Sequence, residues 1–388
     1  MTHVSRFVWL LALAPLLSVA FAQGQLWIVD ASGGPDADFT DIQPAVDAAA
    51  DGDTVQVREG SYGDVLVDAR SLSVVAEAAA SVGAGEVTVR NVAGSQSVVL
   101  RGFGVSGVDL TSNQGPVLLE SIGGGFGPSL CSPFISGGAA NILACDAVVL
   151  SGCTFTGNFA DSVGDVGLRI TSSTVHAYET RAAGSTPLAA GGSGGFGVTA
   201  FGSFLFASGG SFAGGCGADT GFPCSGTGGT GGAGLFASGS TVNLVSVELA
   251  GGKGGFGFGC GDGLDGQPVL GGFTAVAGNP RGYSISPFGD GGASATIDYA
   301  GVAGDLVFSL IALDVEPLYL AELAGSLALT IPPILVSHGV AGDGTLTVSV
   351  PLPSLPPGQE AFTVYAQGAA ISPVGAAVLA APSVLTIL

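Results

Sequence analysis

Basic residues are scarce in this chain: 9 Lys and Arg stand against 30 Asp and Glu, a formal net charge of −21. Neutralising nucleic-acid phosphates requires Lys and Arg, so this balance excludes nucleic acid as a partner class. The same field repels acidic polysaccharides unless a cation intervenes. Charged residues of either sign make up only 10% of the chain, and mean hydropathy is +0.59. Disorder needs low hydrophobicity together with high charge, so the chain is expected to fold. No G-x-x-x-x-G-K-[ST] motif occurs and Lys253 is followed by Gly254, which argues against a nucleotide loop. The six cysteines show no paired C-x-x-C spacing, which argues against a zinc site. Long apolar runs are missing beyond the first residues.

Those first residues read as a bacterial-type signal peptide over 1–22. Arg6 supplies the basic region, Phe7–Val19 the apolar region, and Ala20-Phe21-Ala22 an A-x-A cleavage site before Gln23. The mature chain is therefore expected to be secreted, extracellular or at the cell surface, without membrane insertion. In that setting Cys131, Cys145, Cys153, Cys216, Cys224 and Cys260 suggest disulfides. Cys131–Cys145 and Cys216–Cys224 are local pairs. They would leave Cys153 with Cys260, roughly 19 Å apart at about four strand spacings, so the connectivity stays open.

Over residues 26–120 short strands with period-two patterning recur, among them Thr54–Val57, Leu72–Val75, Ser97–Leu100 and Val117–Leu119, separated by turn residues. No helical pattern intervenes after residue 50, which leaves a sandwich, a barrel or a solenoid. One segment discriminates among them. In Asp38-Phe39-Thr40-Asp41-Ile42-Gln43-Pro44-Ala45-Val46-Asp47-Ala48-Ala49-Ala50, Ile42, Ala45, Val46 and Ala49 share one helical face, and Thr40 or Asp41 can cap its start. The strand Thr54–Val57 and the turn Gly60-Ser61-Tyr62 follow. The whole stretch resembles the N-terminal cap and first rung of the pectin-lyase-like right-handed parallel β-helix family, F-x-x-I-Q-x-A-[VI]-x-A-A-x-x-G-D-x-[VI]-x-V-x-x-G-x-Y. The resemblance implies an all-β solenoid over 23–292 whose open end is covered by an amphipathic helix. It implies no single activity, because lyases, hydrolases and non-enzymes share this cap.

Residues 121–300 hold 46 of the 68 glycines, without collagen spacing. The tracts around 191–195, 214–234 and 251–266 read as long loops leaving one corner of successive coils and stacking beside the β-helix. From 293 to 388 the prolines and longer strands suggest a small antiparallel β-sandwich covering the C-terminal end of the solenoid.

Candidate chemistry is sparse. Lyases of the resembled fold use calcium held by several carboxylates with an Arg or Lys base, and hydrolases use clustered Asp with a His and an R-I-K-like tripeptide. Arg169-Ile170-Thr171 and Ser337-His338-Gly339 echo the latter, without an Asp pair. His176 reads as a surface residue. Asp36, Asp38 and Asp41 suit turns and a helix start, and Asp262 and Asp265 offer a calcium loop. Asn91, Asn113 and Asn158 suit left-handed corners, and Arg58, Arg70, Arg90 and Arg101 suit strand ends. Phe196, Phe222, Phe256 and Phe258 either tuck loops down or meet a ligand. The sequence assigns no catalytic, cofactor or metal residue and specifies no oligomeric state. It favours a non-catalytic β-helix with a structural or glycan-binding role, against a divergent lyase or hydrolase.

Overall fold

A computed structural model of the chain describes residues 24–123, 138–158, 163–221 and 226–388. The expected signal peptide, 1–22, lies outside them. The described chain is mostly β-strand. Its parallel strands form a ten-stranded, a nine-stranded and a four-stranded sheet. The chain visits these sheets in turn and adds one parallel strand to each as it goes round. Thus Val117–Glu120, Val148–Ser151, Thr174–Tyr178, Phe204–Ser208 and Thr241–Val245 lie side by side in the ten-stranded sheet. Alternate residues point inward, so Val117, Leu119, Val148, Leu150, Val175, Ala177, Leu205 and Ala207 stack into one continuous core.

The corners follow from local chemistry. Asn91, Ser112, Ala144 and Ser172 end successive strands of the nine-stranded sheet with φ between 48° and 59°. Gly202 and Gly239 occupy the same corner in the next two circuits, where positive φ costs glycine least. One residue further on, the Ser173, Ser203 and Ser240 hydroxyls accept from the backbone N–H of Cys145, Ser173 and Ser203 at 3.0–3.2 Å. Asn91 is thus left-handed as expected. Asn113 is instead fully buried and bridges Val92 and Val89. Cys145 and Cys153 are buried free thiols, which corrects the pairings that used them. Cys216 and Cys260 are each engaged in a disulfide; Cys131 and Cys224 lie outside the described residues.

Helix Ile42–Ala48 covers the first circuit with Ile42, Ala45 and Val46 buried. Asp41 Oδ1 accepts from Ile42 N at 2.8 Å. At the other end the Arg70 guanidinium donates to the carbonyls of Val46, Asp47 and Ala49 at 2.7–3.0 Å, so this Arg caps the helix where a strand-end role was expected.

The glycine tracts are not loose loops. They run as extended legs, outward over 214–220 and 251–257 and back over 191–197, 228–234 and 261–267. Each leg bonds to its neighbours every third residue. Gly214, Gly217 and Thr220 N–H donate to the carbonyls of Ala250, Lys253 and Phe256, and Gly228, Gly231 and Gly234 to those of Gly261, Leu264 and Gln267. Three residues per turn is the repeat of polyproline II. The sequence carries it as Gly-Gly-x triplets: Gly191-Gly192-Ser193-Gly194-Gly195-Phe196, Gly228-Gly229-Thr230-Gly231-Gly232-Ala233 and Gly251-Gly252-Lys253-Gly254-Gly255-Phe256. Two residues in three, the glycines of each triplet, face other legs. A Cβ built on Gly232 would sit 1.9 Å from the Gly195 carbonyl oxygen, and one on Gly194 1.9 Å from that of Gly215. Only glycine fits these contacts.

The antiparallel strands begin at Gly282–Ile285, upstream of the expected boundary at 293. Residues 315–329, where one of the longer strands is expected, form a hairpin, Val315–Leu320 with Gly325–Leu329, turned by the 3₁₀ segment Ala321–Leu323 and by Ala324 at φ 44°. A three-stranded sheet and a mostly antiparallel five-stranded sheet share a core of Tyr283, Ile285, Ile297, Ala366, Leu385 and Ile387. This unit does not cover the C-terminal end of the parallel stack. It folds back along the outer face of the ten-stranded sheet. There Val99, Leu118, Val149, Tyr178, Phe206 and Val245 pack on Val315, Leu327, Leu329, Tyr365, Leu379 and Val384. The cause is visible in the strands: their outward positions are apolar, so that face needs a cover.

Candidate functional site

The outer face of the nine-stranded sheet has no such cover among the described residues. Strand register aligns Thr88, Asp109, Asn141, Arg169, Thr199 and Phe236 in one row across it, with Arg90, Thr111, Leu143, Thr171, Phe201 and Ser238 in the next. Neighbours in a row are spaced about 4.8 Å apart. Asp109 Oδ1 accepts from Asn141 Nδ2 at 2.9 Å and from Thr111 Oγ1 at 3.1 Å. Arg169 is exposed and lies 3.7 Å from Asp165. At the far end Phe236 stacks on Phe196, centroids 5.5 Å apart and planes 24° apart, and touches Phe201 at 5.4 Å. Phe201 and Leu143 are about 40% exposed, with 41% and 40% of their surface free. Beneath them Thr199 is buried, and its hydroxyl has no hydrogen-bond partner among the described residues.

This face offers aromatic planes, a carboxylate, an amide, hydroxyls and two guanidiniums, Arg169 beside Asp165 and Arg90 beside Asp68. Such a set can stack on the apolar face of a ring and bond to hydroxyls along one line. Of these residues only Arg169 and Phe196 were candidates from sequence. The others came into one row because circuits of unequal length still bring their strands into register, which no linear motif records.

The remaining candidates lie apart. His338 is half-buried in the C-terminal unit. Its Nε2 is 2.7 Å from Ser309 Oγ, which is 2.6 Å from the Tyr283 hydroxyl. Ser309 is fully buried, so this chain of hydroxyls is a core network. Arg169 and His338 therefore occupy different units. His176, expected at the surface, is 1% exposed under the C-terminal unit.

Asp262 and Asp265 are engaged by the backbone. Asp265 Oδ1 accepts from Gly254 N at 2.9 Å and Asp262 Oδ1 from Gly257 N at 3.0 Å. Inner legs give these amides to the next leg's carbonyls, so the two carboxylates close the last outward leg. The backbone bond from Gly254 and the Lys253 ammonium hold the Asp265 carboxyl below the usual range. On the last returning leg Pro268 occupies the place where Gly197 and Gly234 donate, and it has no N–H to offer. Asp38 and Asp41 likewise accept from the backbone of Ile28, Ile42 and Gly63. Among the described residues no group of three His, Cys, Asp or Glu side chains is placed to hold a metal.

Arg58 pairs with Asp30 and Glu77, and Arg90 with Asp68. Arg101, expected as a corner residue, is buried against Glu120 at 3.3 Å. It donates to the carbonyls of Ile285 and Val384, while Glu120 accepts from Ser383 Oγ at 2.5 Å and Val384 N at 2.9 Å. Burial lowers the Arg101 pKa and raises that of Glu120. Phe256 and Phe258 pack edge to face on each other at 4.9 Å, and Phe222 lies outside the described residues.

No family model matches this chain, and no curated protein matches it. Among the described residues no helix is long and apolar enough to cross a membrane.

Proposed function

We propose that this chain is a secreted or surface-associated, non-catalytic right-handed parallel β-helix with a flanking β-sandwich, and that it binds uncharged glycans on the nine-stranded face. The observation that carries the reading is the alignment of the Asp109, Asn141 and Arg169 row with the Phe196, Phe201 and Phe236 cluster. Aromatic planes suit the C–H faces of sugar rings, and the polar row suits their hydroxyls. The acidic balance of the chain favours uncharged polymers over uronates. Right-handed winding is supported by the general preference of parallel crossover connections. Secretion rests on the Arg6 to Ala22 leader, and a mature N-terminus at Gln23 is expected from Edman sequencing.

The test is binding of soluble neutral oligosaccharides and of polygalacturonate, each with and without calcium, alongside an assay for unsaturated and reducing ends. The expected result is binding of a neutral oligosaccharide, weakened in Phe236→Ala, with no turnover. Cleavage that disappears in Arg169→Ala would instead establish a divergent lyase or hydrolase.

A further inference from the structure

We propose that His176 is an acid-sensitive latch that holds the hairpin Val315–Leu320/Gly325–Leu329 onto the ten-stranded sheet. His176 stands on the outward row between Val149 and Phe206, and its ring lies 5.5 Å from that of Phe204. Its Nδ1 is 2.6 Å from Ser326 Oγ, on the hairpin's second strand. Its Nε2 is buried and has no partner among the described residues. The surrounding contacts leave little freedom for a substitute. Tyr178 donates to the Ser326 carbonyl at 2.5 Å and accepts from Ser326 N at 3.2 Å. Gln367 Nε2 donates to the same carbonyl at 2.8 Å, and Ala328 N donates to Gln367 Oε1.

A neutral imidazole satisfies this site with one hydrogen bond. An imidazolium carries two N–H donors, and the second would face apolar surroundings without an acceptor. The titratable groups on this face are Tyr178, Tyr319 and Tyr365, with Asp314 at the start of the hairpin and near Tyr365, Glu322 at its tip and the Arg101–Glu120 pair on strands further along the sheet. None of them bonds to His176, and burial alone holds its pKa at about 4.

The sign follows from linkage. The docked hairpin refuses a proton that a free imidazole takes up near pH 6.5, so docking is complete above that value. It weakens as pH falls toward about 4, by up to roughly tenfold per pH unit. Release is local, because the Arg101 and Glu120 contacts fasten the rest of the unit elsewhere. It would expose Phe206, Val245 and their apolar neighbours.

Hydrogen exchange over 315–329, corrected for intrinsic rates, is compared at pH 7 and pH 4.5. Wild type and His338→Gln are expected to lose protection there at pH 4.5 by tenfold or more, and His176→Gln to keep it. Equal acid loss in His176→Gln would overturn the latch. Should His176→Gln not fold, histidine NMR titration of wild type decides: a folded-state midpoint between 6 and 7 for His176 overturns the proposal, and one below 5 supports it.

Discussion

The two broad faces of the parallel stack are built by the same alternation and meet opposite fates. On the ten-stranded sheet the outward row is Val99, Leu118, Val149, His176 and Phe206, and the C-terminal unit covers it. On the nine-stranded sheet the outward row is Asp109, Asn141, Arg169, Thr199 and Phe236, and no described residue forms a cover. The inward rows of both are aliphatic and interchangeable in kind. Fold therefore resides in the inward rows, and the outward rows decide what each face does. A polar row broken by aromatics at one end is stable in water and still adhesive, which is why the open face is the one to probe for ligand.

The comparison is broken most forcefully at the sealed face. Arg101→Ala would leave the Glu120 carboxylate buried with no guanidinium beside it, and an uncompensated buried charge costs about 3–5 kcal/mol. We expect a large fall in the urea midpoint, with the C-terminal unit detaching at lower denaturant than the parallel stack melts. A single transition at the wild-type midpoint would mean that the ion pair contributes nothing to the docking. Arg169→Ala, the corresponding change on the open face, should leave the midpoint within about 0.5 kcal/mol, as exposed ion pairs do.

The glycine bundle gives the next largest effect. Gly232→Val forces a side chain into the Gly195 carbonyl, and overpacking of this kind costs about 1–3 kcal/mol or more. Gly272→Ala, where a Cβ meets open space at an ordinary φ, should cost little. Thermal melts of the two variants are the measurement. Similar melting temperatures would return the tracts to the status of loops.

Much of the stack was legible in the chain. Cap helix, short strands and left-handed corners each depend on residues close in sequence, as with Asp41 at the helix start and Asn91 at a corner. The glycine legs were hidden because the Gly-Gly-x period is confined to separate tracts and never forms one unbroken repeat. The fold-back of the C-terminal unit was hidden for a different reason. It rests on Val99, Leu118 and Val149 facing outward, and an apolar residue in a fully buried strand reads the same whichever side it faces. The candidate face was the least legible part, since Asp109 and Phe236 become neighbours of one row only through register.

A smaller effect is expected at the end of the bundle. Asp265→Ala frees the Gly254 amide to solvent and removes the Lys253 partner, so a slight loss of melting temperature should follow. It should be the same with calcium as with EDTA, because the carboxylate serves the backbone. A calcium-dependent rise in the wild-type melting temperature that Asp265→Ala abolishes would restore the metal reading.

The most informative change in binding should come with only a local change in stability. Phe236 is half-buried and packs mainly on Phe196 and Phe201, so Phe236→Ala should leave the parallel stack folded while removing the centre of the aromatic cluster. An aromatic contact of this kind is worth about 1 kcal/mol beyond burial, or roughly fivefold in Kd for a stacked sugar ring. Phe204, aromatic and half-buried beneath the sealed face against Tyr319, is the matched control. Phe204→Ala should disturb docking of the C-terminal unit and leave oligosaccharide affinity as in wild type. Calorimetric titration of both variants with the same neutral oligosaccharide separates the faces. If Phe204→Ala lost affinity and Phe236→Ala kept it, the ligand would belong to the covered side, and the assignment of the open face as the binding surface would be wrong.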